Sequence, residues 1–178
     1  MLELVRARAY RDGLDIVLAS GKRSDFYING KKVSLHPEGL HLIAKLMLAE
    51  LKTLPEVTAI GGLTLGADPI ASAVAAMSFE TGQNLPAFLV RKESKGHGAG
   101  GRIEGDLEPG QKVAIIEDTI TTGGSALKAI DAVREVGAEP VVVLALADRE
   151  DADGDAFRAE WDVRPLLALS DIRGTNVG

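Results

Sequence analysis

Two adjacent acids, Glu117 and Asp118, follow four apolar residues in VAIIEDTITTGGS, which spans residues 113–125. A turn rich in threonine, glycine and serine comes next, and a helical pattern follows it. Amides and hydroxyls at a helix N-terminus bind phosphate, whereas carboxylates accept hydrogen bonds from hydroxyl groups. The combination predicts a sugar-phosphate site, with ribose hydroxyls on the acids and a 5-phosphate in the turn.

The turn itself supplies the predicted phosphate contacts. Gly123 and Gly124 lack Cβ atoms, so the backbone can bend there and approach an anion closely. The alternative is an ordinary capped strand-to-helix turn, because serine and threonine cap many helices. We favour phosphate binding, since the order of strand, acids, turn and helix is specific. The G-x-x-x-x-G-K-[ST] loop of an ordinary ATPase or kinase is absent, which argues against those two classes. The predicted donor-binding residues of this string are Glu117, Asp118, Thr119, Ile120, Thr121, Thr122, Gly123, Gly124 and Ser125.

A glycine-rich segment, ESKGHGAGGRIEGDLEPG at residues 93–110, is predicted as a flexible loop without core-forming pattern. Its GHGAGG string matches G-x-G-x-x-G but leads into no helix, so dinucleotide binding is excluded. A solvated surface loop is one alternative, yet long loops in compact domains are usually lids or binding loops. A local positive patch that suits a departing polyanion is formed by Arg91, Lys92, Lys95 and Arg102, and His97 among them is a candidate anion contact.

Two further strand ends carry candidate residues. GGLTLGADPIASAVA, at 61–75, repeats the order of strand, glycine turn and helix. Its amides can face a second anionic group, or its glycines can serve close strand-to-helix packing, and the sequence leaves both open. ADRED places Arg149 after the last predicted strand, where a guanidinium can bind a carboxylate with two hydrogen bonds.

Composition bounds the class of protein. The chain has 178 residues, no cysteine, three histidines and a formal charge of −6, with a pI near 5.1. These values exclude disulfides and thiolate metal sites and argue against a general nucleic-acid binder. No apolar run approaches the roughly 18 residues of a membrane span, and the N-terminus lacks a secretory signal, so we expect a cytoplasmic protein that binds no membrane.

The apolar pattern predicts an α/β domain. Continuous apolar runs at 56–63, 86–92, 112–118 and 140–148 are typical of strands covered on both faces, and an amphipathic helix is predicted from Pro37. The order β-α-β-β-α-β predicts one domain over 1–178, with a mainly parallel central sheet flanked by helices. Ligands of such sheets bind at the carboxyl ends of the strands.

These strings together resemble the type I phosphoribosyltransferases. SGKRSDFYINGKKVSLHPEG, RKESKGHG and ADRED are similar to orotate phosphoribosyltransferases in particular, and the resemblance covers residues 14–150. It implies transfer of a phosphoribosyl group from 5-phosphoribosyl 1-diphosphate to orotate in pyrimidine synthesis, with an N-terminal hood at 1–36 and a catalytic loop at 93–110. A transferase for adenine, hypoxanthine or uracil, a non-catalytic regulator and a scaffold protein are the alternatives.

The resemblance also implies roles for residues and partners. Lys95 is expected to be the main catalytic residue, with His97 beside it, and Thr121 and Arg149 are expected to contact orotate. Mg²⁺ is expected as cofactor, carried by the diphosphate and not by a protein metal site. A homodimer is expected in which the loop acts on the neighbouring subunit's site. Some bacterial members have lysines where this chain has Ala19 and Gly66, and the candidates for their replacement are Lys22, Lys31 and Lys32.

Overall fold

The computed structural model describes residues 1–17, 21, 23–93 and 101–174. The strands in these ranges are β1 Tyr10–Arg11, β2 Ile16–Val17, β3 Arg23–Ser24, β4 Tyr27–Ile28, β5 Ala59–Leu63, β6 Ala87–Val90, β7 Ile103–Glu104, β8 Lys112–Ile120, β9 Glu139–Asp148 and β10 Val163–Ala168. The α-helices are α1 Leu2–Arg8, α2 Lys31–Ser34, α3 Pro37–Leu51, α4 Asp68–Glu80, α5 Gly124–Val136, α6 Asp155–Glu160 and α7 Leu169–Arg173. A 3-10 helix, Ala152–Gly154, precedes α6.

The centre of the fold is a six-stranded sheet in the order β10-β9-β8-β5-β6-β7. Its strands are parallel except β7, which pairs antiparallel with β6. The predicted mainly parallel sheet is therefore confirmed, and β5, β6, β8 and β9 are the four predicted apolar runs. Neighbouring residues of β8 serve opposite faces, because Ile116 belongs to one hydrophobic cluster and Ile115 to another. Helices cover both faces, which explains why the runs are continuously apolar.

The strand order creates a switch point between β5 and β8. From β5 the chain first adds β6 on one side, then returns to add β8, β9 and β10 on the other. At such a point the connections leave the two central strands in opposite directions, which opens a crevice beyond their carboxyl ends. The turns after β5 and β8 border this crevice, so the fold places the predicted phosphate turn beside the glycine turn whose role the sequence leaves open.

The N-terminal segment, 1–36, folds against the domain through small elements. β1 pairs with β4 and β2 pairs with β3, each antiparallel, and α2 follows β4. The string SGKRSDFYINGKKVSL, at 20–35, is rich in turn-forming residues and predicts hairpin or irregular structure. It does not predict α2, because four residues are too short to show a helical period. Nε of Arg6 donates a hydrogen bond of 2.8 Å to the carbonyl of Ile172, which ties α1 to α7.

Two strands lie where the sequence shows no strand pattern. β7 falls within the segment 93–110, and its register pairs Val90 with Ile103, so the described end of this segment is not irregular as predicted. β10 extends the sheet beyond β9 in the chain's less distinctive tail. Both are edge strands, which bury fewer side chains and carry weaker patterns than central strands. In the described ranges no helix combines the length and apolarity that crossing a membrane requires.

Candidate active site

The acid pair lies inside β8 and not at its end. β8 continues to Ile120, two residues beyond the predicted strand end at Glu117 and Asp118, because Thr119 and Ile120 still pair with β9. A pocket of about 70 Å³ opens beside the strand and is lined by Glu117 and residues 119–126. The strand end, the turn and the start of α5 thus border one small pocket.

The turn after β8 has the geometry of an anion seat. Gly123 adopts φ +81° and precedes α5, whose first residues present backbone amides without partners inside the helix. The N–H of Gly124 donates a hydrogen bond of 3.3 Å to Oγ1 of Thr122. A Cβ on Gly123 would lie 2.3 Å from Cγ of Phe157, so the residue must be glycine for both conformation and space.

Glu117 is the most perturbed acid of the site. Its side chain is almost fully buried, and Oε1 has no hydrogen-bond partner among the described residues. Burial, and secondly the charge of neighbouring Asp118, raise the pKa of Glu117 to about 8. Oγ1 of Thr119 is also buried without a partner in the described chain. Such groups are costly to bury, so their persistence beside a cavity indicates a polar ligand that satisfies them.

Asp118 lies beside a different set of groups. Nζ of Lys31 donates a hydrogen bond of 2.8 Å to Oδ2 of Asp118. A Cβ on Gly66 would lie 3.0 Å from Oδ1, and one on Gly30 would lie 3.2 Å from Cβ of Asp118. Two glycines and one lysine therefore surround this carboxylate. Of the two candidate replacements that the structure describes, Lys31 and Lys32, Lys31 forms this contact with Asp118.

The glycines of β5 and of the turn after it support the packing interpretation, while anion binding by this turn stays a prediction. A Cβ on Gly61 would lie 2.0 Å from the carbonyl oxygen of Phe88, and one on Gly62 2.1 Å from that of Ile116, so close strand packing requires these two glycines. Gly66, by contrast, faces the acid pair. Asp68 follows in the first turn of α4, where burial raises the pKa of its carboxyl and Oδ1 has no partner in the described chain.

Arg149 directly follows β9 and is 4% exposed. Its Nε donates a hydrogen bond of 2.8 Å to Oδ2 of Asp151, and Nη2 lies 3.4 Å from Oγ of Ser24. The guanidinium also stacks over the Phe26 ring, 4.3 Å from its centroid. The N-terminal segment therefore positions Arg149.

The cationic loop is described only at its ends. Nη1 of Arg91 donates a hydrogen bond of 3.1 Å to Oε1 of Glu104, and Lys92 is exposed. Lys95 and His97, the predicted catalytic pair, lie outside the described residues, as do Ala19 and Lys22. Their roles stay predictions.

Sequence reasoning missed several groups around the site. Phe26 supports Arg149, and Asp68 adds a third acid. Arg158 donates to Asp148 at 3.0 Å, which fixes α6 beside the carboxyl end of β9. Each is distant in sequence from the group that it contacts or follows a turn of ordinary composition, so no local pattern indicates it.

A mainly parallel sheet with this switch point, followed at β8 by an acid pair and a glycine-containing turn, has the fold of a type I phosphoribosyltransferase. A scan against models of protein families finds no match. An orotate phosphoribosyltransferase of Sorangium cellulosum, however, is 47% identical over 171 residues, which cover 95% of this chain and 88% of the relative. The chain belongs to the orotate phosphoribosyltransferase family.

Solved structures agree with this assignment. The orotate phosphoribosyltransferase of Mycobacterium tuberculosis H37Rv matches with a TM-score of 0.81 and 41% identity, over 96% of this chain and 95% of that one. Another structure of the same enzyme, in complex with 5-phospho-α-D-ribosyl 1-diphosphate, matches with a TM-score of 0.76 and 38% identity, over 97% of this chain and 96% of that one.

Proposed function

We propose that this chain transfers the phosphoribosyl group of 5-phosphoribosyl 1-diphosphate to orotate, forming orotidine 5′-monophosphate and diphosphate in pyrimidine synthesis. The observation that carries the proposal is the pocket at the switch point. It joins an anion-binding turn to buried, unpaired acceptors, Glu117 Oε1 and Thr119 Oγ1. A sugar phosphate offers the matching groups, namely a phosphate for the turn and hydroxyl donors for the acceptors.

The reaction exchanges one bond at the anomeric carbon for another. The bond to the diphosphate oxygen breaks with its electron pair leaving on diphosphate, and the deprotonated ring nitrogen of orotate forms the new bond. Positive charge grows on the ribose and negative charge on the leaving group. Asp118, and Glu117 once it has lost its proton, are the carboxylates proposed to oppose the positive charge, while the loop cations, with Lys95 foremost, oppose the negative charge. No protein nucleophile is needed.

Arg149 and Thr121 are the proposed orotate contacts. The buried guanidinium of Arg149 forms an ion pair with Asp151 and stacks on the Phe26 ring, so its orientation is fixed before orotate binds. A fixed, planar guanidinium suits the carboxylate of orotate better than a mobile ammonium does. Thr121 lines the pocket directly after β8, on the chain segment that holds the phosphate.

Mg²⁺ is the proposed cofactor, and its chemistry is to neutralise charge on the departing diphosphate. Mg²⁺ bound to phosphates usually adds one or two protein carboxylates and several waters. Asp68 fits this pattern, because its buried Oδ1 lacks a partner in the described chain and lies in the turn region after β5.

We also propose a homodimer whose loop acts on the partner's site. Mixing two inactive variants, one altered at Lys95 and one at Asp118, tests this, since recovered activity requires a loop that acts across subunits.

The test of the function is orotate-dependent release of diphosphate in the presence of Mg²⁺. We expect turnover with orotate and none with adenine, hypoxanthine or uracil at equal concentrations. Turnover with another base would agree with the proposed donor but would contradict the proposal that orotate is the acceptor. Binding of the donor without turnover of any base would favour a regulator.

A further inference from the structure

Among the described residues, Lys31 is the cation that forms an ion pair with Asp118. The ammonium reaches Asp118 across 87 positions of sequence, from the first residue of α2 to the carboxyl half of β8. The Asp118 side chain is 13% exposed, whereas that of Lys31 is 47% exposed. The pair is thus half-open, with a shielded acid and an ammonium that solvent can reach.

The backbone enforces this contact. Gly30 precedes Lys31, and a Cβ there would lie 2.9 Å from Oγ1 of Thr119. The missing side chain lets the start of α2 lie directly on β8. Val33 and Ser34, later in α2, are fully buried and anchor the helix. A lysine on such an anchored turn needs little additional ordering to reach Asp118, unlike a lysine of a mobile surface pair.

Lys31 is the described ammonium that lies nearest to three carboxyl groups of the site. It pairs directly with Asp118, and its charge lowers the pKa values of Glu117 and Asp68, although burial outweighs it in both and leaves them raised. A polyanionic donor that approaches the ionised acids meets repulsion unless cations face it.

Resting on the donor proposed above, we propose that Lys31 is a positioning residue of the phosphoribosyl-donor site. It holds Oδ2 of Asp118 in the free protein, and a ribose hydroxyl takes its place when the donor binds. The released ammonium, still anchored through α2, then faces the phosphate groups of the donor. Lys31 thus keeps Asp118 oriented before binding and supplies positive charge afterwards.

The test measures donor and acceptor separately. Lys31→Met should weaken binding of Mg²⁺–5-phosphoribosyl 1-diphosphate in calorimetry by about tenfold, the scale of one charged hydrogen bond. The KM for orotate should stay within about twofold of the wild type, since Arg149 is untouched. Lys31→Arg should restore most of the donor affinity, because it keeps the charge. Lys45→Met is the matched control, since Lys45 is an exposed lysine of α3 with no proposed part in binding, and it should bind the donor like the wild type.

A double-mutant cycle with Asp118→Asn distinguishes the contact from a general charge effect. If Lys31 acts through Asp118, the two losses in donor affinity are less than additive. Unchanged donor affinity in Lys31→Met, full additivity, or no rescue by arginine overturns the proposal. A lowered Tm of Lys31→Met with equal losses of affinity for the donor and for orotate also overturns it, because a purely structural role of Lys31 would explain that result. Because donor binding needs no orotate, failure of the acceptor assignment leaves this test intact.

Discussion

Glu117 should make the protein less stable as pH rises, and Glu117→Gln should remove that dependence. The pKa of this carboxyl is 4.5 in an exposed state and about 8 in the folded protein. Below 4.5 both states are protonated and the group has no effect on folding. Between 4.5 and 8 the unfolded chain loses its proton while the folded chain keeps it, so the free energy of unfolding falls. Above 8 the loss is complete.

The magnitude follows from the shift. One pKa unit corresponds to about 1.4 kcal/mol, so the wild type should lose about 3 kcal/mol between pH 5 and pH 7.5 through this group. Glutamine cannot ionise and fills a similar volume, so Glu117→Gln should be more stable by that difference at pH 7.5 and nearly equal at pH 5. Function opposes stability here, since the variant should also bind the donor more weakly.

Urea unfolding followed by the fluorescence of Trp161, the single tryptophan, measures this at pH 5, 6, 7 and 8. Glu80→Gln is the matched control, because Glu80 is an exposed glutamate at the end of α4 and its removal should leave the wild-type pH dependence unchanged. Parallel stability curves for wild type and Glu117→Gln would refute the reasoning, since the buried carboxyl would then ionise in the folded state as easily as in water.

Three further predictions concern the substrates. Gly30→Ala should raise the KM for the donor several-fold with little change for orotate, because its Cβ presses on the strand beside Asp118; steady-state kinetics with each substrate varied checks this. Arg149→Met should raise the KM for orotate at least tenfold, the effect of about 1.5–3 kcal/mol for a charged hydrogen bond, while calorimetry shows normal donor binding. Lys95→Ala should lower kcat by about a hundredfold or more, and near-normal turnover would contradict its role.

The sequence predicts the central sheet and misses its edges for one physical reason. β5, β6, β8 and β9 are covered on both faces, so each must be apolar throughout and shows as a continuous run. β10 is only partly buried at every position and contains Pro165, so burial imposes no pattern on it. β7 has two residues, fewer than any period requires.

For the candidate site, what could be predicted depends on whether its residues are neighbours in the sequence. Residues 117–125 are consecutive, and their chemistry is visible as one string. Lys31 and Phe26 reach the site from the N-terminal segment, and their contacts to Asp118 and Arg149 exist only after the chain folds. Sequence could name Lys31 as one of three candidates, but it could not choose among them.

Glu117 and Asp118 face different halves of the crevice, and this sets the direction in which the proposed donor lies across β8. Successive residues of a strand point to opposite sides, so Glu117 lines the pocket with the turn while Asp118 lies beside Gly66 and Lys31. A ligand that contacts both acids must cross the strand. The proposed donor does so with its phosphate in the turn, its ribose over the acids and its diphosphate towards the turn after β5. That order places the densest negative charge of the donor on the side where Lys31 lies, so its ammonium supplies positive charge in that half of the crevice.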